Sequence, residues 1–240
     1  MRSRFAIAAG LLLLAAGVAQ AGVTGTVTAV SDYDFRGVTL SGKDPALQGS
    51  VDYSNDTGFY AGIWASSSLD FGPGTDASWE TDGYFGFTGG QEGGVGWSAG
   101  LVYYYYWPSG DNVDYPEIYV GGSYAGFGAK LWYTNNYGNV DGSPDAWYLE
   151  GNFDHDLQAN FSVHAHVGYN FGTYWKDVNG DETIDWSVGV GYQLGNFTML
   201  LKYIDTDTNV HPDKAIYGDA FSNDGRVWFS ISTTFPWSSK

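Results

Sequence analysis

The 240-residue sequence predicts an all-β fold: a closed antiparallel transmembrane β-barrel of about twelve strands, with short periplasmic turns at one end and longer extracellular loops at the other. Three observations carry that expectation. Apolar and polar residues alternate with period two through almost all of the chain after residue 21, the mark of strands whose two faces meet different surroundings. The connectors between alternating segments are short and long by turns. Aromatic residues make up 18% of the chain and gather near segment ends on the apolar face, where a headgroup interface would hold them.

The elements follow in order. Residues 1–21 read as a cleaved export signal, with Arg2 and Arg4 ahead of the apolar run 5–18 and Ala19-Gln20-Ala21 as a small-x-small site. That run is too short for a retained anchor, and no later run of 18 apolar residues occurs, so any membrane crossing falls to strands. One barrel domain is expected over 22–240. Its first strand should place Val23, Gly25, Val27, Ala29, Tyr33 and Phe35 on one face, and Thr24, Thr26, Thr28, Asp32, Asp34 and Arg36 on the other. Further strands are expected over 46–54, 59–67, 79–88, 95–107, 115–124, 127–134, 146–154, 161–171, 183–194, 197–205 and 226–235. Trp97, Leu101, Tyr103, Tyr105 and Trp107 show the apolar face, as do Ile184, Trp186, Val188, Val190 and Tyr192. The opposite faces carry too many polar groups for a dry core.

Connectors at 55–58, 89–94, 125–126, 155–160 and 195–196 are tight, whereas those after odd-numbered strands are mostly longer and acidic, the longest over 206–225. Apolar-face rings at Tyr33, Phe35, Phe59, Tyr105, Trp107, Phe127, Phe161, Tyr169, Phe171, Phe197 and Phe235 should form two girdles, with 236–240 as a tail beyond the last. A water-soluble barrel would also alternate, but with its apolar side inward and its acids in water. The even strand count, the unequal connectors and the girdles favour the membrane barrel.

Composition narrows the function. The formal charge of −17 becomes −19 once Arg2 and Arg4 leave with the leader, which excludes a nucleic-acid partner. There is no Cys, so no disulfide scaffold holds the exported chain.

Several stretches resemble a known family. Ser31-Asp32-Tyr33-Asp34-Phe35-Arg36-Gly37-Val38, Asp44-Pro45-Ala46-Leu47-Gln48-Gly49 and Gly58-Phe59-Tyr60-Ala61-Gly62-Ile63-Trp64-Ala65-Ser66 are similar to the opening of the TorF-type porins of Gram-negative bacteria. Phe127-Gly128-Ala129-Lys130-Leu131, Tyr148-Leu149-Glu150, His166-Val167-Gly168-Tyr169 and Arg226-Val227-Trp228-Phe229-Ser230 fit as well. The resemblance spans most of the mature chain. It implies an outer-membrane porin and supplies no catalytic motif.

If the polar faces point inward, the pore-lining residues can be named. The acids are Asp32, Asp34, Asp52, Glu80, Asp82, Glu117, Glu150, Asp154 and Asp185, against the bases Arg36, Lys130, Lys202 and Arg226. Excess negative charge should attract cations, so a channel for small hydrophilic solutes, cationic or neutral and polar, is expected. The rings of Tyr60, Trp64, Tyr84, Tyr104, Tyr106, Trp132, Tyr148 and Trp228 share that face and would either fill the lumen or stack on solutes. The alternative is a closed barrel that binds ligands through its acidic loops. Expected partners are outer-membrane lipid, the solutes themselves and the barrel-assembly machinery.

Chemistry beyond transport has thin support. His164 and His166 share a face with Glu150 on the neighbouring strand, a weak zinc pattern better read as solvated histidines. Asp177, Asn179 and Asp181 match the start of a calcium loop, as do Asp205, Asp207 and Asn209. Glu182 and Val210 hold the glycine positions, however, and Val188 the twelfth position of the first, which favours merely hydrated loops. Ser162 and His164 share a face without an evident third group, so no catalytic residue is assigned, and no cofactor is expected.

Overall fold

The computed structural model describes residues 22–72, 78–91, 93–108, 113–208 and 218–237; the leader expected over 1–21 lies outside them. Strands β1 (Gly22–Val30), β2 (Asp34–Phe35), β3 (Val38–Thr39), β4 (Ala46–Ser54), β5 (Phe59–Ser67), β6 (Trp79–Gly90) and β7 (Gly96–Trp107) form the first part of the fold. They are followed by β8 (Tyr115–Tyr124), β9 (Phe127–Thr134), β10 (Ala146–Asp156), β11 (Phe161–Phe171), β12 (Thr183–Leu194), β13 (Phe197–Thr206) and β14 (Arg226–Phe235). Among the described residues β1 and β4 to β14 close into a barrel of twelve antiparallel strands, each beside its sequence neighbour. Closure is made by β1 on β14, in register from Gly25↔Phe235 to Val30↔Ser230, so this sheet has no free edge.

The period-two pattern places its faces as a bilayer demands. Val51 and Ile63, each 60% exposed, and Val120 at 58% point outward, while Glu80, Asp82 and Tyr104 on the opposite face are wholly buried. An apolar outside over a polar inside is the polarity of a membrane barrel and the reverse of a water-soluble one. Ring pairs mark both rims. Phe59–Phe87 at 5.4 Å and Phe127–Phe153 at 4.6 Å lie near the short turns, and Tyr133–Trp147 at 4.3 Å lies near the loops. The tail extends the turn-side girdle, with Trp237 stacked 5.0 Å from Phe235 and its indole N–H given to Thr233.

One element departs from the sequence reading. The alternation of residues 23–36 belongs to two structures: β1 stops at Val30, and residues 31–45 leave the wall. They turn into the lumen as the β2–β3 hairpin, outside the barrel sheet. Tyr33 and Phe35 are therefore interior rather than girdle residues, because the hairpin carries both of its faces into the barrel. Its two-residue turn, Arg36-Gly37, has φ of 52° and 84°, a conformation that favours glycine at the second position. A Cβ on Gly37 would lie 2.7 Å from that of Asp185, so the tip also needs the missing side chain to reach the β12 wall.

Candidate functional site

The lumen is built from the even-numbered face of β1 and its equivalents, and the inward hairpin divides it. Phe35 and Arg36 at the hairpin tip line two chambers, one toward the short turns with about 140 Å³ of open space and one toward the loops with about 410 Å³. Every residue expected on the pore face lies inside the barrel. Asp32, Asp34 and Arg36, however, reach it from the hairpin rather than from a wall strand.

Charged side chains anchor the hairpin from two sides. Arg36 donates to Glu117 of β8 at 2.5 Å, and its guanidinium lies 4.3 Å from the centre of the Tyr148 ring. From β14, Arg226 donates to Asp32 at 2.5 Å and also to Asp34, while the Trp228 indole N–H donates to the Asp32 carbonyl at 2.6 Å. Asp32 further accepts the hydroxyls of Thr39 and Ser41, which closes the hairpin on itself. Rings pack around this frame, Tyr33 on Trp64 at 5.5 Å and Phe35 edge-on to Tyr104 at 6.0 Å.

The other lumen acids are mostly held by neutral donors. Glu150 accepts the Trp132 indole N–H at 2.8 Å and the Asn152 amide at 2.9 Å. Asp185 accepts the Tyr148 hydroxyl at 3.1 Å and lies 2.9 Å from His166 Nε2. Asp52 accepts from Tyr84 and from Ser50. Glu80 and Asp82 of β6 differ: both are fully buried against Tyr33, and none of their four oxygens makes a well-formed hydrogen bond among the described residues. Of the remaining bases, Lys130 sits 4.6 Å from the Tyr119 ring centre and Lys202 5.4 Å from that of Trp228.

The histidines are fully engaged by their neighbours. His166 Nδ1 is 2.8 Å from the Asn152 side-chain oxygen, and Glu150 stands off at 3.9 Å. Among the described residues no three His, Asp or Glu side chains converge as a metal site. Asp177 and Asn179 fall in a helical turn, Tyr174–Asn179, where Asn179 gives its amide to the Asp181 carbonyl; Asn209 of the second loop lies outside the described residues.

Sequence reasoning missed a third partner for Ser162 and His164. The β10–β11 register sets Asp154 opposite His164, placing Asp154 2.6 Å from His164 Nδ1 and Ser162 2.8 Å from Nε2. This reproduces the order nucleophile, base, orienter. Both neighbours of β11 pair with it across this stretch, however, so the surrounding backbone N–H groups serve the ladder and not a developing oxyanion. The hairpin was missed as well. Its signal was present in Asp34-Phe35-Arg36-Gly37-Val38-Thr39, a two-residue turn with glycine between short alternating arms.

Comparison with known proteins fits this architecture. A family model described as "Bacterial protein of unknown function (Gcw_chp)" matches residues 15–235. None of the curated proteins matches the chain in sequence. Among solved structures, the KdgM porin is 9% identical with a TM-score of 0.55, and the NanC porin is 10% identical with a TM-score of 0.56. Each alignment covers 90% of this chain and 100% of the other. At such identities the likeness is one of fold: this chain is a porin-like barrel.

Proposed function

We propose that this chain, which belongs to the Gcw_chp family of bacterial proteins of unknown function, is an outer-membrane channel for passive diffusion of small hydrophilic solutes, preferring cations and neutral polar molecules. The observation that carries the reading is a polar lumen inside an apolar shell, narrowed to the Phe35–Arg36 tip between two chambers. The sign of the preference rests on the lumen acids. Arg36 pairs with Glu117 and the single Arg226 with both Asp32 and Asp34, whereas among the described residues Asp52 accepts from Tyr84 and Ser50, and Asp185 from Tyr148, without a Lys or Arg ion pair. The cleaved leader over 1–21, a Gram-negative outer-membrane location and the TorF-type resemblance belong to the same reading.

The hairpin favours a second reading, a closed barrel that acts through its acidic loops, because its ion pairs and ring contacts tie it across the lumen. Planar-bilayer recording of the refolded, heat-modifiable barrel separates the two. Discrete steps with a cation-side reversal potential across a salt gradient are expected. A folded barrel without steps would reject the channel and move the function to the loops.

A further inference from the structure

We propose that the loop-side chamber is a binding site for an uncharged saccharide, and in naming this solute class the proposal rests on the channel reading above. The chamber holds about 410 Å³, within the range of about 300–1,000 Å³ usual for small-ligand pockets. One side is aromatic: Tyr137 lies 4.5 Å from Tyr174 and 5.3 Å from Trp175 between ring centres, and Phe35 closes the floor. Flat rings of this kind cover the C–H faces of a pyranose and exclude water from them.

The rest of the wall mixes apolar Val38, Leu40 and Phe221 with amides and hydroxyls, the groups that exchange hydrogen bonds with sugar hydroxyls. Asn170, all but fully buried, gives its amide hydrogen to Thr183 at 3.0 Å, and its carbonyl oxygen has no partner among the described residues. The same holds for the Trp175 indole N–H. Both groups lie just behind the chamber surface, where an unmet acceptor and an unmet donor are costly.

Charge decides the class of ligand. Among the described residues of the wall only Arg36 is charged, and its guanidinium is committed to Glu117. Burial raises the Tyr137 and Tyr174 phenols, so both remain neutral donors. Among the described residues an acidic sugar finds no free base here. An organic cation would meet the rings but also the Arg36 charge in the floor.

Isothermal calorimetry on the folded full chain, in a detergent without a sugar headgroup, tests the site with glucose, galactose and maltose, against galacturonate and choline. Saturable heat with at least one neutral sugar is expected, with galacturonate and choline weaker. Trp175→Ala and Asn170→Ala should each weaken that binding about tenfold while the barrel stays heat-modifiable. Silence from all three neutral sugars, equal binding of galacturonate or choline, or unchanged affinity in both variants would overturn the proposal. Conductance separates this from the parent reading: steps without heat reject the site alone, and heat without steps rejects the channel alone.

Discussion

The wall of β10 to β12 and the wall of β6 carry the same residue type on the same inward face, in opposite states. On the first, the register sets a donor beside each acid: His164 faces Asp154, Trp132 reaches Glu150, and Tyr148 and His166 share Asp185. On β6 the residues in register with Glu80 and Asp82 are Ser66, Tyr106, Trp64 and Tyr104, and among the described residues no carboxylate oxygen of the pair makes a well-formed hydrogen bond. An acid held by neutral donors spends its charge on structure. A buried pair without a cation costs several kcal/mol to hold in charged form, in order-of-magnitude terms.

That comparison can be broken or sharpened by mutation. The largest effect is expected at the hairpin, which stands between the two walls. Arg226→Ala strips Asp32 and Asp34 of their cation, and breaking such a buried pair costs about 3–5 kcal/mol. Faster amide exchange over residues 31–45 and a larger single-channel conductance should report the released hairpin. Unchanged conductance would show that the hairpin does not set the constriction.

Next come the acids themselves, with opposite signs. Asp82→Asn should stabilise the barrel by about 1–3 kcal/mol, because it removes one acid of a buried pair whose oxygens lack well-formed hydrogen bonds among the described residues. Asp185→Asn should destabilise by a similar amount, since it weakens the bonds to Tyr148 and His166. Equal signs in urea unfolding of the refolded barrel would erase the distinction between the walls.

Gly168→Ala probes the structured wall by shape. Its Cβ would fall 2.0 Å from the Tyr148 hydroxyl and 2.5 Å from the Asp185 carboxylate. A loss of about 1–3 kcal/mol is expected from overpacking, read in the same unfolding curves. Smallest is the rim. The Thr173 hydroxyl, with help from the Trp147 indole, holds the Asp145 carboxyl below its ordinary range. A depressed carboxylate contributes stability above its unfolded value, about 3.9, and loses it as pH falls through its lower folded value. Amide exchange in the 172–182 loop should therefore quicken only below about pH 4 in the wild type, and Asp145→Asn should abolish that dependence.

Much of this was legible before the fold was known. The strand ranges differ from the sequence reading by one or two residues at β6, β7, β10 and β13, and the apolar and polar faces point as the alternation says. The path of the loop-side connectors was not legible. In the last of them Asp207 sits exposed on the rim, bonded to the Ile184 N–H, whereas the first turns into the lumen.

Strand identity and facing are local properties, because two successive side chains of an extended chain point to opposite sides whatever else the protein does. Period two over enough segments, with short turns between them, therefore determined a barrel and its inside-out polarity from sequence alone. The path of residues 31–45 was not determined that way, since an alternating hairpin inside the lumen and a longer wall strand share one pattern. Tertiary structure decided it through pairs far apart in the chain. Arg36 meets Glu117 81 positions away, and Arg226 meets Asp32 194 positions away. Those partners exist only once the barrel has closed and brought β8 and β14 around the same interior.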